Sequence, residues 1–125
     1  AQLISARDGM VHAEGNDTDQ PCRMLQIWIE PTSHGGAPAY SYRQLPEAPG
    51  VHLVAGDEGM ALRSPARVWW VDVRGERTLD ARRGYLLGLS GALTLGEKPF
   101  APGDGAEVRG PARLQGDGAA LWLEV

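Results

Sequence analysis

Apolar and polar residues alternate along this chain in short runs separated by breakers. In "MLQIWIE", residues 24–30, Leu25, Ile27 and Ile29 fall on one face and Met24, Gln26 and Trp28 on the other, which predicts a strand covered on both sides. Further extended pieces are predicted at "AYSYRQL", "VHLVAG", "RVWWVDVR", "YLLGLSGALTL", "AEVRG" and "AALWLEV", with Gly, Pro or Asp between them. Within "GLSGALTLGE", Ser90-Gly91 and Gly96-Glu97 are expected to be hairpin turns. The polar piece from Glu76 to Arg83 is the one helical candidate. Trp69 and Trp70 should point to opposite faces of their strand and pack in the core, and Val68, Leu87, Leu93, Leu121 and Leu123 are expected in the interior.

With 17 Gly and 9 Pro in 125 residues, few segments have room for three turns of helix, so short strands and tight turns predict an all-β sandwich or barrel. The length is one domain's worth of chain. Twelve Lys and Arg against 16 Asp and Glu give a net charge of −4, and the cations are scattered. Neither a nucleic-acid surface nor an anionic membrane is therefore expected as partner. No apolar run approaches the roughly 20 residues a membrane span needs, and no charged leader precedes an apolar stretch. A single cysteine, Cys22, excludes an internal disulfide and suits a reducing compartment, so a cytoplasmic location is expected.

The densest chemistry lies in "ISARDGMVHAEGN", where His12 and Glu14 stand two residues apart. On a strand they would project from one face, within reach of a single ion inside a barrel, and mixed nitrogen and oxygen ligation with open positions suits iron. The alternative is a strand histidine hydrogen-bonded to Glu14 or to backbone. His34 reads as a loop residue and His52 as a strand-face residue or substrate contact; no histidine follows. Cys22 has no evident general base beside it. Ser90 in "GLSGA" fails the nucleophile-elbow pattern because Ala92 replaces the final glycine. The carboxylates of "GDEG" and "PGDG" read as turns.

The order "SARDGMVHAEGN", "RMLQIWIEP", "PAYSYRQL" and "LSGALTLGEKPFAPGDGAEV" resembles the pirin family of bicupins, which includes bacterial quercetin 2,3-dioxygenases, from Gln2 to Val125. The resemblance implies an incomplete bicupin of the antiparallel β-barrel or jelly-roll kind: residues 1–37 as closing strands of an N-terminal cupin, and 38–125 as a C-terminal, metal-free barrel. It implies His12 and Glu14 as two of four ligands to Fe(II), the others being a His-x-His pair expected upstream of Ala1. It implies a flavonol substrate for the complete protein and no quercetinase activity for this chain alone. The alternative it allows is a non-catalytic cupin that binds a protein partner or assembles with itself. Unpaired edges in "QLISA" and "MLQIWIE" add the expectation of a homo-oligomer through the N-terminal strands.

Overall fold

Only three residues separate two strands that lie on opposite sides of a third, and this constraint shapes the molecule. A computed structural model describes residues 1–80 and 82–125. The described residues form β1 (Gln2–Ser5), β2 (Ala39–Tyr42), β3 (Gly50–Gly56), β4 (Met60–Ala61), β5 (Arg67–Leu79), β6 (Arg83–Leu95), β7 (Lys98–Phe100), β8 (Gly105–Arg109) and β9 (Ala112–Glu124). β1 and β2 make a separate antiparallel pair, with Ser5 opposite Ala39. The other seven form one sheet in the order β4-β3-β5-β9-β6-β7, with β8 also on β6.

β9 pairs with β5 from Arg67↔Glu124 to Leu79↔Ala112, and with β6 from Gly84↔Glu124 to Leu95↔Leu114. In a flat sheet the two ends of β9 would lie about 40 Å apart, at roughly 3.3 Å per residue. Leu79 sits at one end and Arg83 at the other, so the sheet must curl until those ends meet. They do: the Gly110 N–H donates to Arg82 O (2.7 Å) and the Val125 N–H donates to Arg83 O (3.0 Å). The result is a curled, all-β sheet whose ends meet.

Curling gives the sheet an inner and an outer face. Val71, Val73, Leu79, Leu86, Leu93, Phe100, Val108, Leu114 and Trp122 form the inner cluster, drawing on both ends of β5 and β9. The outer face of one half carries Val68 and Leu121 with Val54, Ala55 and Met60, against which Leu3, Ile29, Leu45, Trp70, Leu87, Leu89 and Leu123 pack. Trp69 and Trp70 thus do face opposite ways. Of the five interior residues expected, Leu93 is buried in the first of these core clusters, Val68 and Leu121 are buried in the second, and Leu87 and Leu123 pack against the second, because alternation assigns a shared face without saying which cluster it joins.

Three local expectations are corrected. Residues 24–30 join no ladder, and Trp28 is 88% exposed, since alternation supplies a face but no partner strand. Ser90-Gly91 is not a turn: β6 runs straight through it, with a register shift between Gly88 and Ser90 where Gly103 N and Gly88 N exchange bonds with Gly88 O and Asp104 O. The break falls instead in its neighbour, between β7 and β8. The helical candidate is strand to Leu79 and again from Arg83, its polarity reflecting exposure of Glu76, Thr78, Asp80, Arg82 and Arg83; Ala81 lies outside the described residues. The Gly96-Glu97 hairpin holds, with Gly96 at φ +60° as a II′ turn requires and Leu95 opposite Lys98.

Candidate functional site

His12 and Glu14 lie on a long excursion, Ala6 to Pro38, that leaves the sheet after β1 and returns at β2. Gly9 N donates to Ala6 O (2.8 Å), and this turn, with Arg7 at φ +50°, directs the chain outward. A second turn follows at Asn16, whose Oδ1 accepts from Thr18 N (3.2 Å) and Thr18 Oγ1 (2.8 Å) while its Nδ2 donates to Gln20 O (2.6 Å). Asn favours such local side-chain turns over strand pairing. The expected strand context for the pair is therefore corrected: neither residue is in a ladder.

The two side chains nevertheless converge. His12 Nε2 is 4.0 Å from Glu14 Oε1, and the side chains are 43% and 32% exposed. Neighbouring ligands of one ion, at bond lengths of about 2.0–2.2 Å, stand roughly 3.0–3.4 Å apart, so the two side chains would have to close by about half an ångström or more to share an ion. Among the described residues, no group of three or more His, Cys, Asp or Glu stands close enough to hold a metal. Among the described residues the pair stands as two donors without a third. His34 is exposed in its loop, and half-buried His52 places Nε2 2.9 Å from Ala48 O. Cys22 is exposed, as is Ser90 on β6. Asp104 Oδ2 accepts from Ala101 N (2.8 Å), closing the turn expected at "PGDG".

The shifted carboxyl ionisations belong to Asp57, in the turn between β3 and β4, and to Glu76 on β5. A hydrogen bond from Arg67 (2.6 Å) holds the Asp57 carboxyl below its ordinary value, and one from Arg113 (2.5 Å) does the same for Glu76. Both are exposed surface pairs.

The sequence reading missed an open groove of about 330 Å³, walled on one side by Ile27, Trp28, Ile29 and Glu30 and on the other by Ser64, Ala66, Leu123 and Val125. Its only trace in the sequence is the apolar excess of residues 24–29, which read as strand core.

No protein-family model matches the chain. A pirin-like protein of Caulobacter vibrioides is 33% identical over 124 residues, covering 89% of this chain and 53% of that protein. A protein of Pseudomonas aeruginosa provisionally named quercetin 2,3-dioxygenase is 29% identical over 141 residues, covering 99% of this chain and 61% of its own length. A similarly named protein of Zymomonas mobilis is 29% identical over 118 residues, covering 84% and 50%. The chain spans about half the length of the curated relatives it matches. Among solved structures, Escherichia coli YhhW superposes with a TM-score of 0.70 at 17% identity, over 78% of this chain and 47% of that one. A second structure of YhhW, a bacterial pirin in complex with nickel(II), superposes equally well. At that identity the likeness is one of fold.

Proposed function

We propose, from the premise that the chain is a pirin-family cupin, that it forms the C-terminal portion of a quercetin 2,3-dioxygenase-type, metal-dependent protein and is inactive alone. The observation that carries this reading is the approach of His12 and Glu14 to 4.0 Å, in a segment that resembles the family's His-x-Glu and in a chain whose sequence relatives include two proteins named for that activity. Residues 1–37 are assigned to the close of a first barrel and 38–125 to a second one.

His12 would offer a neutral imidazole nitrogen and Glu14 a carboxylate oxygen, and two further donors would come from an upstream His-x-His. Fe(II) is the metal proposed, and nitrogen and oxygen donors also suit nickel, which YhhW carries in its complex. When bound, the metal would supply coordination to the flavonol oxygens and reactivity toward O2. The Gly9 and Asn16 turns bracket the pair, and between them the two side chains approach to 4.0 Å, which would orient that half of the site. Two exposed ligands without supporting partners hold a metal weakly.

The test is quercetin turnover under O2 after anaerobic loading with Fe(II). The isolated chain should do no better than His12→Ala, and His12-dependent turnover should appear when a separately expressed upstream half carrying His-x-His is supplied. Substantial His12-dependent turnover by the isolated chain would overturn the half-site reading, and none with both halves would overturn the assigned activity. The exposed Trp28 and Met24 favour the second reading, a cupin that serves as an assembly module.

A further inference from the structure

The excursion from Ala6 to Pro38 is a loop of 33 residues with a narrow neck. Connections of this length without strands of their own are uncommon in packed domains and tend to be functional. Ser5 pairs with Ala39 at its base. Just above, Gly36 N donates to Asp8 Oδ2 (2.9 Å), and the Arg7 guanidinium lies against Gly36 so closely that a Cβ there would meet Nη1 at 3.0 Å. Both sides of the neck carry residues at positive φ: Arg7 (+50°) and Gly9 (+130°) on the outgoing strand, Gly35 (+76°) and Gly36 (+96°) on the returning one. The neck is therefore bonded to itself, and hinge-type backbone flanks it on each side.

Beyond the neck, one side chain does most of the fastening to the barrel. Half-buried Arg63, between β4 and β5, donates from Nη1 to Gly35 O (2.9 Å) and from Nη2 to Ser33 Oγ (2.7 Å) and His34 O (3.4 Å). Its own carbonyl accepts from Thr32 N (2.8 Å) and Thr32 Oγ1 (3.1 Å). A planar fork with several donors is suited to gripping three oxygens at once, which a lysine ammonium is not. Arg23 adds a bond to Leu89 O, and Ile29 packs on the outer cluster.

We infer that the excursion is a strap hinged at its neck and buckled to the barrel by Arg63. Opening the buckle lets the strap move with its neck intact. Since the strap carries His12 and Glu14 together with the Ile27–Glu30 wall of the groove, the buckle sets the position of the pair and the width of the groove at once. The buckle stands independently of whether the pair binds a metal, so its test uses no metal and no substrate.

The experiment is amide exchange followed by NMR on the full chain, comparing Arg63→Ala, Arg63→Met and Arg63→Lys with the parent. Thr32 N–H is the discriminating probe, because its acceptor is the Arg63 backbone carbonyl, which every variant keeps. In Ala and Met variants it should exchange about tenfold faster or more, the order set by loss of charge-assisted hydrogen bonds. Gly36 N–H, bonded within the neck, and amides of β5 and β9 should keep their parent rates. Lys should fall between. Spin labels on Cys22, the only cysteine, and on Glu97→Cys at the β6–β7 hairpin should give a distance distribution that broadens in the same variants. Unchanged Thr32 exchange would show that Arg63 is no buckle. Thr32 and Gly36 accelerating together would show that the loop unravels rather than swings. Either result overturns the inference, and the Met variant, which retains the apolar stem, guards against a general loss of fold.

Discussion

Gly75 of β5 lies directly opposite Gly116 of β9, and on the far side of β9 Gly118 lies opposite Gly91 of β6, so a row of glycines crosses three adjacent strands. Three of the four have positive φ: Gly75 +88°, Gly91 +76° and Gly116 +122°. The row divides the long strands into the two halves whose side chains meet in the inner cluster. A Cβ on Gly116 would stand 2.1 Å from Ala92 O, and one on Gly91 would stand 2.1 Å from Asp117 O. The backbones approach here more closely than any side chain allows, which is where a curled sheet needs glycine.

Gly116→Ala should therefore be severe. Strain at a φ reserved for glycine costs about 1–3 kcal/mol, and forcing neighbouring backbone apart costs a further 1–3 kcal/mol or so. Gly110→Ala is the control: its φ is +96°, yet nothing lies within 4 Å of the added carbon, so only the strain remains. Urea midpoints of the two variants should separate clearly. Equal midpoints would mean that the glycine row is not what lets the sheet bend.

The legibility of this sequence follows the same division between face and partner. Alternation found β2, β3, β5, β6, β8 and β9, and Gly96-Glu97 announced its hairpin, because both signals are local. It misread Ser90-Gly91 as a turn because a glycine at a bend and a glycine at a reversal look alike until pairing is known. It placed Val68, Leu93 and Leu121 in the interior, and all three are buried, but it did not say in which of two core clusters, because curvature depends on glycines in three strands at once. For the site, the sequence named His12 and Glu14, and the structure brings them within 4.0 Å of each other. The Arg63 clasp was not legible, since its partners Ser33 to Gly35 lie about thirty residues away and all but Ser33 Oγ are backbone oxygens.

Acid should weaken the fold in part through Glu76. Its carboxyl is held below the ordinary value chiefly by the hydrogen bond from Arg113 on β9. A depressed folded-state value contributes stability that is complete above the unfolded-state value and is lost as pH falls through the folded one. Thermal midpoints should thus fall below about pH 4.5, and Glu76→Gln should flatten part of that decline while lowering the midpoint slightly at neutral pH. The pair is solvent-exposed, so the effect is small. Parallel curves for variant and parent across the acid range would rule out this contribution.

Self-association is expected through the strap. Trp28 is 88% exposed, and Val11, Met24 and Leu25 are exposed with it, more apolar surface than a short polar loop presents to water. Sedimentation equilibrium at micromolar concentration should show concentration-dependent mass, reduced by the pair Met24→Lys and Trp28→Lys. These positions pack on neither core cluster, so the barrel's thermal midpoint should stay near the parent's. A monomer in both proteins would leave the strap's apolar residues without this role.

Trp69 and Trp70 give the last prediction, since adjacent residues of one type differ only in their partners. Trp69 Nε1 donates to Glu124 Oε2 at 3.3 Å, whereas Trp70 Nε1 is buried with no acceptor among the described residues. Replacing either with Phe removes similar volume, so the difference between the two variants isolates the polar contribution. Trp69→Phe loses a hydrogen bond to a charged acceptor. Trp70→Phe relieves a buried unsatisfied donor, which costs about 1–3 kcal/mol while it stays unpaired. Trp70→Phe should therefore be the milder change, by about 1 kcal/mol or more in urea unfolding. Adding Glu124→Gln should narrow the gap, because it weakens the bond that Trp69 has to lose. If Trp70→Phe proves the more damaging of the two, its indole nitrogen must find an acceptor in solution, and the outer cluster around Leu87 and Leu123 must be arranged differently from the packing described above.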